Sequence, residues 1–549
     1  MATESVAATP TAPSDIGLKR EMGLIGATWA SETSIIGSGW LFGALYASQA
    51  AGPIALLGWV IGGVAVIFLA LVHAELGGMY PVSGGTARFP HLAYGSVAGI
   101  SFGFFSWVQA VTVAPIECFA VMQYGSYYWH GLFDVNANGG HGNVTGLGFA
   151  MTVVLLVIFT ALNFLAMRIF NKVNSGITWW KVAIPVLTII VLLFKFHGSN
   201  FTGHGGFNPY GWKALFGAIP SAGIVFAYLG FEQADQLAAE IKNPQKNLPR
   251  AILLATFIGI VIYVMLQVVF IGAMPSSQIA HGWAKISNPD ILAGPFAGLA
   301  GLVGLAWLAA VLRIDAFVSP FGTGLMYQTS SSRVGYGLGR NRYFPQFFTR
   351  VDGNGVPWIS LLVAFVAGLF FLLPFPSWHS LVGLVTGASV LMYAGAPLAM
   401  GAFRRTVPEA DRPYRVPAGE VISPIAFIIA NMLIYWSGFE TVWKLGVVIV
   451  IGYVLIGIFM ALDENRPPLD WKSAQWLPFY LIGLGVISWQ GQYGPDNTFR
   501  IPFWWDMLVV AAFSLVIYFW AMASRLPKAE MLNLVERQSG IEPPERSAA

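Results

Sequence analysis

Fourteen stretches of this chain are apolar for long enough to cross a lipid bilayer. A spanning helix needs about 20 mostly apolar residues. The runs fall at 22–48, 53–79, 97–127, 147–167, 176–196, 212–239, 251–273, 296–332, 357–374, 379–402, 421–437, 441–462, 474–490 and 503–524. Only 10% of the residues are charged and 56% are hydrophobic. A soluble globular chain carries about a quarter charged residues. This composition excludes a disordered chain and a collagen-like fibre. A net charge of +3 is too small for a nucleic-acid-binding surface. The expected fold is an all-α membrane protein with 14 transmembrane helices. The single cysteine, Cys118, has no partner for an intrachain disulfide.

Lys and Arg set the orientation, because cytoplasmic loops carry an excess of both. With the N-terminus inside, the inside segments hold 22 of the 29 Lys and Arg residues and the outside segments hold 5. The other two, Lys181 and Arg313, lie within the spans. A miscounted span would mix the two sets. Both termini are therefore expected in the cytoplasm. Residues 1–21 and 525–549 form short polar tails, expected to be mobile. Residues 22–404 hold the first ten spans and 405–524 the last four. The first apolar run is too long for a signal-peptide core, so no cleaved leader is expected.

Two spans carry residues that interrupt helices. Ile36-Gly37-Ser38-Gly39-Trp40 puts two glycines in the middle of the first. In the sixth, Gly223 and Gly230 bracket Phe226-Ala227-Tyr228-Leu229, with Pro220 just before. Small residues also serve close helix packing in membranes. The pairing matters, because the first and sixth spans hold matching places in two five-helix units. Paired broken helices in two halves point to a transporter binding site. Freed carbonyls can take an ammonium, and freed N–H groups at a half-helix start can take a carboxylate. A small zwitterion such as an amino acid offers both charges.

A charge at mid-bilayer costs about 2.5–3.5 kcal/mol on insertion scales. The ionisable set within the spans is small: Glu32, Glu117, Lys181, Glu232, Asp235, Arg313 and Asp315. Arg313 and Asp315 are two residues apart and point to different faces of one helix, so they do not pair. His73 and Glu75 lie near a cytoplasmic helix end, where structural roles are expected. Lys181 lies five residues into the fifth span, in Trp179-Trp180-Lys181-Val182-Ala183. It can snorkel to the cytoplasmic headgroups. It can also lie deep, because Lys172 already marks that boundary nine residues earlier.

Some motifs look chemical and are not. Gly99-Ile100-Ser101-Phe102-Gly103 matches a hydrolase nucleophile elbow, but it opens a span rather than following a strand. Gly335-Tyr336-Gly337-Leu338-Gly339 lacks the spacing of a nucleotide loop. The 8 histidines show no metal-ligand spacing. No catalytic set supports an enzyme, and no P-loop supports ATP-driven transport.

Several motifs together carry a family resemblance. They are Ser34-Ile35-Ile36-Gly37-Ser38-Gly39-Trp40-Leu41-Phe42, Glu75-Leu76-Gly77 and Pro81-Val82-Ser83-Gly84-Gly85. Phe226-Ala227-Tyr228-Leu229-Gly230-Phe231-Glu232, Glu240-Ile241-Lys242-Asn243-Pro244 and Pro249-Arg250 come next. Asp315, Ser319-Pro320, Arg333 and Arg412-Pro413-Tyr414-Arg415-Val416-Pro417 complete the set. In this order the chain resembles a permease of the amino acid–polyamine–organocation superfamily, from about residue 20 to 520. Within it the chain is similar to bacterial aspartate:proton symporters. That likeness rests on Leu266-Gln267-Val268-Val269-Phe270-Ile271-Gly272-Ala273, His281-Gly282-Trp283 and Leu373-Pro374-Phe375-Pro376-Ser377-Trp378. Glu32, Thr33 and Arg313 depart from the pattern.

The resemblance implies a LeuT-like 5+5 inverted repeat with broken first and sixth helices, plus four further helices. It implies a substrate site at Ile36, Gly37, Ser38 and Gly39, facing Phe226, Ala227, Tyr228, Leu229 and Gly230. It implies a proton-linked lysine at Lys181, with Ser319 and Thr323 as neighbouring hydroxyls. A buried ammonium can release its proton at a pH where an exposed one keeps it. No cofactor or metal is implied. The partners are a small amino acid, protons and the lipid bilayer, and the location is the plasma membrane. The expected function is proton-coupled amino-acid symport by alternating access, with aspartate the substrate that the subgroup suggests. An exchanger or facilitator on the same scaffold is the alternative. A membrane amino-acid sensor would need an output domain, for which the tails are short.

Overall fold

A computed structural model describes residues 22–81, 84–164, 167–495 and 501–539. The N-terminal tail at 1–21 and the pair Val82-Ser83 lie outside the described residues. The described residues are mostly helical. Its first helices are α1 (Leu24–Ile35), α2 (Ser38–Ala51), α3 (Ala55–Met79), α4 (Gly85–Tyr94), α5 (Ser96–Gly125), α6 (Gly146–Leu162) and α7 (Met167–Leu193). Next come α8 (Gly211–Ser221), α9 (Ile224–Tyr228), α10 (Gln233–Gln236), α11 (Pro244–Ala273), α12 (Pro289–Ala293), α13 (Pro295–Leu302) and α14 (Ala306–Arg340). After these stand α15 (Trp358–Leu372), α16 (Trp378–Tyr393), α17 (Gly395–Thr406), α18 (Gly419–Trp436) and α19 (Phe439–Leu462). The last are α20 (Trp471–Ala474), α21 (Trp476–Gln490), α22 (Phe503–Ser524) and α23 (Lys528–Ser539). Two short strands, β1 (Phe133–Asp134) and β2 (Asn143–Val144), pair antiparallel in the loop between α5 and α6.

Among the described residues, nine helical stretches are long and apolar enough to cross a membrane, and α6 and α15 are shorter apolar helices. The chain is thus a multi-pass, all-α membrane protein. The helix α5 runs through its centre, and every α5 residue except Trp107 is buried. A helix that is apolar on all sides belongs inside a bundle. The opposite case is α19, which exposes Val447, Val450, Ile451, Val454, Leu455 and Ile458. A patch of this kind is rare on a soluble surface and suits lipid.

Two expectations are corrected. The apolar run at 296–332 is not one helix. Gly304 takes a left-handed φ of +80° and ends α13, so the long helix α14 starts only at Ala306. The fifth helix begins at Met167, before its apolar stretch Gly176–Leu193, which places Lys181 well inside α7. The tail after residue 525 is also ordered as far as Ser539. Met531 and Val535, four residues apart on α23, are buried, and the Leu526 N–H donates to the Ala93 carbonyl at 3.1 Å. Lys528 Nζ meets Glu409 Oε1 at 2.7 Å, and that hydrogen bond holds the Glu409 carboxyl below its ordinary value.

The Glu75 and Arg412–Pro417 motifs are tied together. The buried Glu75 on α3 accepts from Arg404 Nε at 2.9 Å and Nη2 at 2.5 Å. Arg412 Nε lies 3.4 Å away, and the Val416 N–H donates at 2.8 Å. One carboxylate therefore fastens the Arg412–Pro417 loop to α3 and α17.

Candidate functional site: two helix gaps and a buried lysine

The gap in the first span is two residues long. Ile36 (φ −85°, ψ 79°) and Gly37 (φ −112°, ψ −143°) separate α1 from α2, while Ser38 and Gly39 already belong to α2. Glycine is needed at Gly37 because a Cβ there would lie 2.7 Å from Glu117 Oε1 and 2.8 Å from Thr323 Oγ1. In the sixth span, Phe226, Ala227 and Tyr228 are helical, within α9. The span is interrupted on both sides of them: at Ala222–Gly223, where Gly223 takes φ +88°, and at Leu229–Glu232, where Gly230 takes φ +114°. The expected substrate segment 226–230 is therefore half helix and half gap.

The two interrupted spans meet back to back. A Cβ on Gly39 would come 2.7 Å from Ala227 Cα, and one on Gly230 would come 2.7 Å from the Ser34 carbonyl carbon. Only glycine permits this approach of backbone to backbone.

Each gap leaves backbone groups that a continuous helix would pair. The Thr33 carbonyl accepts from Lys181 Nζ at 2.6 Å and from Thr323 Oγ1 at 2.8 Å. Lys181 also donates to Thr323 Oγ1 at 2.7 Å. The Ile35 carbonyl accepts from the Tyr263 hydroxyl at 2.7 Å. On the other gap, the Gly230 N–H donates to Glu232 Oε2 at 2.9 Å, and the Tyr393 hydroxyl donates to the same oxygen at 2.5 Å. The Phe231 carbonyl accepts from Ser31 Oγ at 3.0 Å.

At the start of α2, the Ser38 N–H donates to Glu117 Oε2 at 2.9 Å and Ser38 Oγ donates to Glu117 Oε1 at 3.0 Å. Trp378 Nε1 in turn donates to Ser38 Oγ at 2.7 Å. Beside them lies a cavity bordered by Ser34, Gly37, Glu117, Phe226, Thr323 and Tyr327, with room for about one water. Trp378 covers it. Its ring stacks on Tyr46 at 5.6 Å and meets Phe226 edge-on at 5.6 Å. Tyr46 touches His379, which stacks on His141 with ring centroids 4.0 Å apart and an angle of 8°.

The structure sorts the remaining charged residues. Thr323 joins Lys181, but Ser319 does not: its hydroxyl donates to both Asp315 oxygens at 2.9 Å. Trp180 Nε1 donates to Asp315 Oδ1 at 2.8 Å. The Arg313 guanidinium lies 3.5 Å over the Tyr127 ring, just past the end of α5. His73 Nδ1 is 3.0 Å from Asp235 Oδ2. Neither carboxyl oxygen of the fully buried Glu32 has a hydrogen-bond partner among the described residues. Sequence reasoning missed Tyr263 and Trp378 as site residues. Trp378 was legible only as part of a subgroup stretch, and nothing near Tyr263 signals that its hydroxyl reaches a carbonyl 228 positions away.

Comparison with known proteins agrees with this architecture. The family model described as "Amino acid permease" matches residues 22–461. The glutamate/serine transporter AimA of Bacillus subtilis is 38% identical over 513 residues, which cover 92% of this chain and 94% of that one. The aspartate-proton symporter of the same organism is 35% identical over 501 residues, covering 90% of this chain and 95% of that one. The aromatic amino acid transport protein AroP of Escherichia coli is 28% identical over 401 residues, or 70% and 81% of the two chains. Matched across four-fifths of its length by that model, and along nearly all of it by two transporters, the chain belongs to the amino acid permease family.

Proposed function

We propose that this chain is a proton-coupled amino-acid symporter of the plasma membrane. It crosses the bilayer 14 times with both termini in the cytoplasm, as the split of 22 inside to 5 outside Lys and Arg supports. Its first ten spans form a 5+5 inverted repeat. The substrate's α-carboxylate and α-ammonium lie between Ile36–Gly39 and Phe226–Gly230, against the N–H groups at the start of α2 and the carbonyls of the gaps. The names of the two relatives above 30% identity support glutamate, aspartate or serine as substrate.

One observation carries the coupling. Lys181 places a cationic side chain on the Thr33 carbonyl and Thr323 hydroxyl, where α1, α7 and α14 meet beside the first gap. Loss of its proton to the cytoplasm would weaken that junction and let the helices part. A charge-assisted hydrogen bond is roughly twice as strong as a neutral one.

The test is uptake of labelled L-glutamate, L-aspartate and L-serine into proteoliposomes. Accumulation should follow an imposed inward proton gradient and collapse with a protonophore. A strict sodium requirement, or uptake indifferent to the gradient, would overturn the reading. Labelling of Pro10→Cys or Gly540→Cys from outside intact cells would overturn the topology.

A further inference from the structure

We propose that Glu117 holds the place of the substrate's carboxylate in the empty carrier, and that the arriving substrate displaces it and so makes it take up a proton. This rests on the functional reading above. The Ser38 N–H is among the first unpaired amides of α2, a 14-residue helix whose start favours negative charge. Both oxygens of the fully buried Glu117 are engaged there, on the Ser38 N–H and Ser38 Oγ. A substrate carboxylate needs the same donors. The adjoining cavity has room for about one water, so two carboxylates cannot both occupy it and stay solvated.

The groups facing Glu117 determine its charge once it is displaced. They are Lys181 on α7, Tyr263 on α11 and Tyr327 on α14, with Cys118 next to it on α5. Lys181 is already committed to Thr33 and Thr323 at 2.6 and 2.7 Å. The displaced carboxylate therefore loses its donors, gains a like charge as neighbour and finds no uncommitted cation beside it among the described residues. A buried carboxylate in that position becomes neutral rather than stay charged. The proton comes from the outer water and adds to one carboxylate oxygen, with no other bond made or broken. When the amino acid leaves inward, Glu117 returns to Ser38 and gives the proton up to the cytoplasm. Glu117 thus ties proton entry to substrate entry, while Lys181 governs the reset of the helix junction.

The test uses the purified full chain in detergent, in weakly buffered solution with a pH-indicating dye. L-glutamate, L-aspartate and L-serine are the probes. The parent should take up about one proton per amino acid bound, and its Kd should rise up to about tenfold per pH unit. Glu117→Gln keeps an acceptor for the Ser38 N–H but cannot titrate. It should bind with no proton uptake and a Kd flat in pH. If that variant does not fold, infrared difference spectra of the parent serve instead. Substrate should convert an ionised carboxylate band into a protonated carboxyl band, which Glu117→Asp shifts. Binding with undiminished proton uptake in Glu117→Gln overturns this inference alone, as does binding to the parent with neither proton uptake nor the carboxyl band. Failure of all three amino acids to bind the parent removes the functional reading and this inference with it.

Discussion

Lys181 Nζ lies 2.6 Å from the carbonyl oxygen of Thr33, 148 positions away in the chain. One ammonium thereby closes α7 onto the last turn of α1, just before the gap at Ile36. The same nitrogen reaches Thr323 at 2.7 Å, so three helices share a single titratable fastening.

Lys181→Ala should lose accumulation driven by a pH gradient in proteoliposomes. The Thr33 carbonyl keeps Thr323 as donor at 2.8 Å, so the fold should survive at a cost of about 1–3 kcal/mol. Exchange of internal for external substrate should persist. Accumulation that still follows the gradient in this variant would rule out Lys181 as the coupling residue.

Gly39→Leu should abolish amino-acid binding and leave membrane insertion intact. Its Cβ would meet Ala227 Cα at 2.7 Å, side chain against backbone, and overpacking of this kind costs about 1–3 kcal/mol. The two gaps would be pushed apart where the substrate is proposed to lie. Equilibrium binding of labelled L-glutamate, read beside the amount of protein in the membrane, checks this.

Arg313→Leu should leave uptake of acidic amino acids within about twofold of the parent. Its guanidinium is spent on the Tyr127 ring at 3.5 Å and does not border the cavity at Gly37 and Glu117. A steep loss of aspartate transport with serine transport kept would place Arg313 in the site after all.

Glu75→Gln should lower thermal stability more than any substitution on the lipid face. The carboxylate holds Arg404 at 2.5 Å and Arg412 at 3.4 Å, both largely buried. Removing one partner of a buried pair costs about 3–5 kcal/mol. Unfolding of the detergent-solubilised protein, followed by tryptophan fluorescence, measures the change.

The loop between α5 and α6 should loosen in acid. Burial holds the His141 imidazole below the ordinary value of 6.5, and its ring stacks on His379 at 4.0 Å. A base with a lowered folded value stabilises the docked loop above the ordinary value. That contribution fades as pH falls below 6.5. Hydrogen exchange in residues 130–145 should therefore quicken between neutral and acid pH, and His141→Gln should flatten the response. The Val144 N–H, which donates to the Pro376 carbonyl at 2.7 Å, is a sensitive reporter.

The sequence by itself determined that this chain crosses a membrane many times, because long apolar runs with few charges mark membrane-spanning helices. It also determined where the helices had to break. Gly37 and Gly230 stand in the gaps, where a Cβ would strike another segment, and a residue without one is visible in the sequence before any neighbour is known. Tertiary structure alone decided which groups occupy the breaks. A hydrogen bond between distant residues depends on the angle and depth of two packed helices, and no local pattern encodes either. Thus Thr323 was legible as a hydroxyl near Lys181, while Ser319, one helical turn earlier on α14, turned instead to Asp315. The Ser38 amide could be read as a place for a carboxylate. That Glu117 already fills it comes only from how α5 passes behind α2.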